Sequence, residues 1–146
     1  MVLTDFDVVE ESNLNRQYYF YDQIGRKKVD ALKETIHRIN PRIAIETHDI
    51  KLDESNIPQI FHDCDVIVEA FDLASMKQMI IETILLNFPE KYLVIGSGIS
   101  GWGDNSSISE VAYDKMIVCG DFKSEVNDRN PPLAPRVGIV SNMQAN

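Results

Sequence analysis

Cysteine is scarce in this sequence, and its scarcity excludes whole classes of protein. Cys64 and Cys119 are the only two among 146 residues, far apart and without a CxxC pair, so neither a disulfide framework nor a four-cysteine zinc site can be built within the chain. Long apolar runs are missing as well: 44% of the residues are hydrophobic, enough for a core, yet no stretch approaches the roughly 18 residues of a membrane span. The start, Met1-Val-Leu-Thr-Asp5, carries neither the basic nor the apolar segment of a secretory signal. Positive charge is in deficit, 14 Lys and Arg against 23 Asp and Glu for a net charge of −9, which argues against nucleic acid or an anionic membrane as the partner. A reducing, cytoplasmic setting is the simplest reading. The length is close to the roughly 150 residues of one domain, so 1–146 is read as one.

What is present alternates strand and helix. Val2 and Leu3 read as a strand running into Asp5-Phe-Asp7. Val29, Leu32, Ile36 and Ile39 form an amphipathic stripe that ends at Asn40-Pro41, which predicts a helix. Ile43–Thr47 alternates like a short strand, Asp65–Ala70 is apolar enough for a strand buried on both faces of a parallel sheet, and Met76, Ile80, Ile84 and Phe88 mark a second helix closed by Pro89. Tyr92–Gly96 and Met116–Gly120 read as further strands, with loops at Gly101–Ser107 and Asn127–Pro132. The stretch from Leu133 starts like a helix, with Pro135 tolerated in its first turn, and ends without a cap. The pattern predicts an α/β fold with a mostly parallel sheet. Both ends fall inside patterned segments, so the expectation is a piece of a larger domain.

Gly96-Ser-Gly98-Ile-Ser-Gly101 is a literal GxGxxG directly after a strand, with Asp121 at the end of the next one. A dinucleotide site needs a helix that begins at such a loop and receives the pyrophosphate. Here Trp102-Gly-Asp-Asn-Ser-Ser107 follows, and Gly, Asn, Asp and Ser are poor helix formers. A glycine-rich turn after a strand is the plainer reading.

The first 28 residues hold a denser signal. A carboxylate at the end of a strand, Asp5, is placed where α/β nucleotide sites take ribose hydroxyls. Ser12-Asn-Leu-Asn-Arg-Gln17 follows, then Gly25-Arg-Lys-Lys28. An Arg fork and a Lys point charge arriving from separate loops suit a triphosphate, although a solvated basic turn (Arg26, Lys27, Lys28) is the ordinary alternative. Asp72 comes just after the strand through Val66–Ala70, at the sheet edge where open α/β folds place ligands. It suits either Mg²⁺ or the N-cap of the helix starting near Leu73.

Asp5-Phe-Asp7, Ser12-Asn-Leu-Asn-Arg-Gln17, Gly25-x-x-Lys28 and Asp72, in that order and spacing, resemble the ThiF/HesA/MoeB family, relatives of the ubiquitin-activating enzymes. The resemblance spans essentially the whole chain and is closest to the family's ThiF branch, in phrases such as Val118-Cys-Gly-Asp-Phe122. It implies a Rossmann-like fold and a nucleotidyltransferase that uses ATP and Mg²⁺. The substrate it implies is the C-terminal glycine carboxylate of a ThiS-like ubiquitin-fold sulfur carrier in thiamine thiazole biosynthesis, and the assembly a homodimer. By the same resemblance Asp5 binds ribose, Asn13 and Arg16 position the phosphates, Lys28 neutralises the triphosphate and Asp72 coordinates Mg²⁺, with Arg16, Lys28 and Asp72 carrying the chemistry. The family's first strand, glycine-rich phosphate loop and first helix have no counterpart ahead of Asp5 in these residues, so weak or no adenylation is expected of the 146 residues alone. The CxxC pairs of many relatives are also missing, and no zinc is expected.

Two other functions compete with this reading: a non-catalytic module that binds the carrier, and a dinucleotide-dependent oxidoreductase using Gly96, Gly98 and Gly101. Cys64 reads as a small core residue, and Cys119 as a strand residue with a lesser claim to covalent chemistry, since no basic neighbour in sequence would lower its pKa. His37, His48 and His62 show no ligand spacing.

Overall fold

The computed structural model describes all of residues 1–146, and the chain divides into two compact units, Met1–Phe61 and His62–Asn146. The first is built on two short parallel strands, β1 (Val2–Thr4) and β2 (Glu46–His48), in the register Val2↔Glu46 to Thr4↔His48. Between them come 3₁₀ turns at Glu11–Asn15 and Tyr21–Gln23 and helix α1 (Lys28–Ile39); a four-residue helix, α2 (Ile57–Ile60), follows. Val9, Val29, Ala31, Ile45, Leu52, Ile57 and Phe61 are its buried apolar residues.

Two expectations need correction in this unit. The strand predicted over Ile43–Thr47 pairs instead at Glu46–His48: the Met1 ammonium holds Ala44 O (2.9 Å), but the parallel register with β1 starts at Val2↔Glu46 and runs to Thr4↔His48. Of the stripe on α1, Val29 is buried but Ile39 is almost wholly exposed. The helix instead turns Ala31 and Thr35 inward onto a buried polar side chain: the Gln23 amide donates to Ala31 O (3.1 Å) and Thr35 Oγ1 (3.3 Å) and accepts from the Phe20 N–H (2.9 Å). The buried amide is thereby satisfied at both its nitrogen and its oxygen, as buried polar groups in folded proteins generally are.

The second unit holds a four-stranded sheet in the order β3-β4-β6-β5, with β3 at Val66–Glu69, β4 at Tyr92–Ser97, β5 at Ser109–Tyr113 and β6 at Met116–Gly120. β3/β4 and β4/β6 are parallel, and β5/β6 is an antiparallel hairpin. Helices α3 (Ala74–Asn87) and α4 (Ala134–Ala145) accompany them. β4 is central, so Leu93, Val94 and Ile95 are buried in succession, together with Ile67, Ile80, Ile84, Cys119 and Val140. The architecture is α/β and Rossmann-like, with mostly parallel strands flanked by helices.

β3 departs from the sequence reading: it is an edge strand, and Val66 and Val68 are 51% and 56% exposed while Ile67 and Glu69 are buried. One face of it, not both, is covered. β5 was not foreseen, because an edge strand reading Ser-Glu-Val-Ala-Tyr has no apolar run to announce it. The hairpin that joins it to β6 turns at Asp114, whose φ of 55° is left-handed; Asp tolerates that conformation better than most residues.

Candidate functional site

In the first unit the carboxyl end of β1 delivers Asp5, whose own N–H continues the ladder to His48 O (3.2 Å). Its Oδ1 accepts the Asp7 N–H at 2.9 Å, folding the next residues back over the strand end. Lys28, the first residue of α1, is drawn to the same place: its N–H donates to Asp7 O at 3.0 Å, and its Nζ lies 2.8 Å from Asp7 Oδ2 and 3.8 Å from Asp5 Oδ2. The structure therefore brings together two of the predicted residues, Asp5 and Lys28. It adds Asp7, quoted as part of the motif but given no role. Tyr19 belongs to the same neighbourhood; burial, then the charges of Asp5 and Asp7, push its phenol up to about 12.

Asn13 and Arg16 sit on the 3₁₀ turn that follows. Asn13 is buried, and its Oδ1 accepts the Glu10 N–H (2.9 Å), so its oxygen is committed to shaping the turn and its amide nitrogen is the group left for a ligand. One Arg16 nitrogen, Nη1, holds Ser12 O (3.2 Å) and Asn15 Oδ1 (2.9 Å). That fixes the guanidinium plane with the other edge of the fork unengaged. The rest of the basic group is neutralised locally, Arg26 by Glu34 (2.6 Å) and Lys27 by Asp49 (3.1 Å).

In the second unit Asp72 stands three residues past the end of β3. It does not cap α3: the N-cap is Leu73, with no side-chain cap bond. The Asp72 carboxylate is exposed and makes no hydrogen bond, so the structural alternative weighed for it does not consume it. Just before it lies an ion pair that sequence reasoning missed, its carboxylate buried and its lysine partly exposed. Glu69 is fully buried, and Lys77 Nζ donates to both its oxygens (2.8 Å each) and to Gly96 O (3.0 Å). Glu69 Oε1 also accepts the Phe71 N–H at 2.5 Å. Burial raises the Glu69 pKa, against the opposing pull of Lys77 and the Phe71 amide. The available signal was a Glu at a position of β3 that alternation turns inward, eight residues before a Lys on the following helix.

The GxGxxG loop is occupied by the protein itself. A Cβ on Gly98 (φ 73°) would stand 2.0 Å from Asp121 Oδ1, and one on Gly101 (φ 81°) 2.2 Å from Asn130 Oδ1. Asp121 accepts the N–H groups of Lys123 (2.9 Å) and Ser124 (2.7 Å) and is held at 2.5 Å by the Arg136 guanidinium, which also donates to Gly103 O (2.7 Å). Burial pushes the Asp121 carboxyl up, but the Ser124 and Lys123 amides and Arg136 outweigh it and leave the pKa lowered. The elements after the loop are a 3₁₀ turn at Asn105–Ser107 and strand β5. With no helix N-terminus at the loop and its acidic partner turned inward, the oxidoreductase reading loses both things it required.

Cys119 is fully buried, and burial, then Glu110, raise its pKa, which is the opposite of nucleophile activation. Cys64, read as a core residue, is only partly buried, since it lies just ahead of the edge strand. The histidines hold local partners: His37 Nε2 lies 3.0 Å from Ile43 O, His48 pairs with Glu46 (2.8 Å) and His62 with Asp63 (3.0 Å).

No group of three or more His, Cys, Asp or Glu side chains is gathered to hold a metal. A lone uncommitted carboxylate such as Asp72 fits Mg²⁺ of the kind that takes one or two protein carboxylates and completes its shell with water and substrate phosphates. No helix is long and apolar enough to cross a membrane.

The ThiF family model matches residues 1–146. An adenylyltransferase and sulfurtransferase UBA4 of Eremothecium gossypii is 36% identical over 98% of this chain and 30% of its own length. A molybdopterin-synthase adenylyltransferase of Haemophilus influenzae is 30% identical over 99% of this chain and 61% of its own. The chain thus spans less than two thirds of either relative. Among solved structures, the E. coli tRNA N6-threonylcarbamoyladenosine dehydratase TcdA in complex with AMP superposes with a TM-score of 0.83 at 19% identity, over 98% of this chain and 71% of that one. The same protein in complex with ATP gives 0.78 at 18%, over 98% and 72%.

Proposed function

Because this chain belongs to the ThiF family, we propose that the protein it represents adenylates the C-terminal glycine carboxylate of a ubiquitin-like sulfur carrier, a ThiS-like one serving thiamine thiazole formation. A carrier carboxylate oxygen attacks the α-phosphorus of ATP, the bond to the β-phosphate oxygen breaks, and the products are a carrier acyl adenylate and pyrophosphate. Two similar proteins are named adenylyltransferases, and a structural neighbour holds AMP or ATP. The reading includes a homodimer, as the family resemblance implies.

Little acid–base work is asked of the protein; positioning and charge stabilisation suffice for transfer of this type. In the first unit, Asp5 offers Oδ2 to the ribose while Oδ1 stays with the Asp7 amide. Asn13 and the open edge of the Arg16 fork orient phosphate oxygens, and Lys28 leaves Asp7 to meet the triphosphate. In the second unit, Asp72 would hold Mg²⁺, which would supply neutralisation of the negative charge that builds on the pyrophosphate. The observation that carries the reading is Asp72: a carboxylate at the ligand edge of a parallel sheet that neither caps its helix nor bonds elsewhere.

The test is ATP–pyrophosphate exchange dependent on a ThiS-like carrier, alongside the thermal shift with Mg-ATP. Ligand at a hundredfold excess over its Kd stabilises by about 2.7 kcal/mol, and Asp72→Ala and Arg16→Ala should each abolish that shift. A shift that both variants keep would overturn the site assignment. A wild-type shift with no carrier-dependent exchange, once an upstream glycine-rich phosphate loop is supplied, would favour a nucleotide-binding module without catalysis.

A further inference from the structure

The three donors of the Lys77 ammonium have three acceptors, Glu69 Oε1, Glu69 Oε2 and Gly96 O. A fully donated ammonium has no proton to offer a phosphate, so this lysine works through its partners. One partner, Glu69, is the last residue of β3 and holds the Phe71 N–H. The other, Gly96, lies near the end of the adjacent parallel strand β4. The pair thus ties two strand ends together on the edge where Asp72 stands, and Glu69 sets the path of the chain through Phe71 to Asp72. Leu73, the N-cap of α3, makes no side-chain cap bond, so no capping side chain shares that task.

We propose that Lys77 and Glu69 are positioning residues that hold the Asp72 carboxylate where it meets the metal of a Mg–nucleotide. The inference rests on the proposed metal role of Asp72. An ion pair sunk at a strand end costs desolvation that well-packed apolar side chains would avoid. It is explained if the carboxylate is needed as an acceptor for a particular amide and the ammonium as a bridge to a neighbouring strand.

The experiment is Mn²⁺ binding to the full chain with ATP present, followed by the electron paramagnetic resonance of free Mn²⁺, with carrier-dependent exchange measured in parallel as kcat and KM for metal once an upstream glycine-rich phosphate loop is supplied. Partners behind a metal ligand cost about 10- to 100-fold in metal affinity when removed. Lys77→Met should weaken Mn²⁺ by at least about tenfold and raise the KM for metal while leaving that for the carrier, and Lys77→Arg should restore most of the affinity. Should Lys77→Met fail to fold with Glu69 left bare, Glu69→Gln/Lys77→Met removes the buried charge yet still cuts the bridge to Gly96, and the same loss is expected. Folded variants that bind Mn²⁺ as the wild type does would overturn the proposal. Asp72→Ala separates the two claims: if it too leaves Mn²⁺ affinity unchanged, the metal role of Asp72 has failed; if it alone abolishes binding, only the positioning role has.

Discussion

Each of the two units gathers opposite charges near the carboxyl ends of its strands, but in different surroundings. In the first, Lys28 meets Asp7 with the lysine side chain 13% exposed and the aspartate 49% exposed. In the second, Arg136 and Asp121 are 6% and 3% exposed, and Glu69 is completely enclosed although its partner Lys77 is 27% exposed, so the Arg136–Asp121 pair is the buried one. A half-solvated pair can trade one partner for another at little cost, because water takes up the released charge. A buried pair cannot, since separating it strands a charge in a medium of low polarity. The first arrangement suits residues that must engage a ligand and let it go, and the second suits residues that must not move while that happens.

The largest effect that would test this contrast is at Arg136. Arg136→Met should cost about 3–5 kcal/mol in urea unfolding at neutral pH, because it leaves the Asp121 carboxylate buried beside Gly98 without its counter-ion. Asp121→Asn/Arg136→Met should recover much of the loss. A single-variant cost below about 1 kcal/mol, the usual worth of a surface pair, would erase the distinction between the units. The pH dependence has a fixed sign: the Asp121 pKa is lowered on folding, so its contribution is complete above its ordinary value of 3.8 and is lost as pH falls from there through the folded value. Arg136→Met should therefore flatten the acid limb of the stability profile.

The fold and the site were legible to different depths, for physical reasons. Central strand β4 and helix α3 announce themselves because burial on successive or periodic positions leaves a run or stripe of apolar residues. Edge strand β5 and the true limits of β2 do not: β5 is mostly exposed and carries no apolar run, and the limits of β2 are set by backbone pairing with β1, more than forty residues away in sequence. Asp5, Lys28 and Asp72 could be named as candidates because motif order and strand ends point to them. The Asp7–Lys28, Glu69–Lys77 and Asp121–Arg136 pairs could not, as each joins residues 8 to 21 apart that only the folded chain brings together. The GxGxxG match was legible as a glycine-rich turn from the poor helix formers that follow it, but the sequence does not show what fills the space the glycines leave, and here Asp121 and Asn130 fill it.

A smaller effect is expected at the half-solvated pair. Lys28→Met should change stability by about 1 kcal/mol or less, yet weaken Mg-ATP binding by at least about tenfold, as loss of a charge-assisted contact to phosphate would. Asp7→Asn sharpens the point. If Asp7 only occupies Lys28 until nucleotide arrives, removing its charge should tighten Mg-ATP a few-fold in calorimetric titration. If affinity falls instead, Asp7 holds the lysine in its working position and the pair is closer in kind to Glu69–Lys77 than the exposures suggest.

The smallest effect is spectroscopic. Tyr19 is partly buried near Asp5 and Asp7, and its phenol is pushed up to about 12 by burial first and then by those two carboxylates. Absorbance titration of the phenolates should show one tyrosine ionising about two units above the ordinary value near 10. Because the folded pKa is raised, the folded state keeps this proton where the unfolded chain has begun to lose it. Tyr19 therefore contributes stability below pH 10, and that contribution falls away between 10 and about 12. Asp7→Asn should bring the ionisation down only modestly, since burial is the larger cause. Mg-ATP should raise it further if the triphosphate settles beside Lys28, because new negative charge near Tyr19 disfavours the phenolate. An ionisation indifferent to nucleotide would place the phosphates away from the Asp5–Asp7–Lys28 cluster and leave that cluster a surface ion pair, with no contrast in function left between the two units.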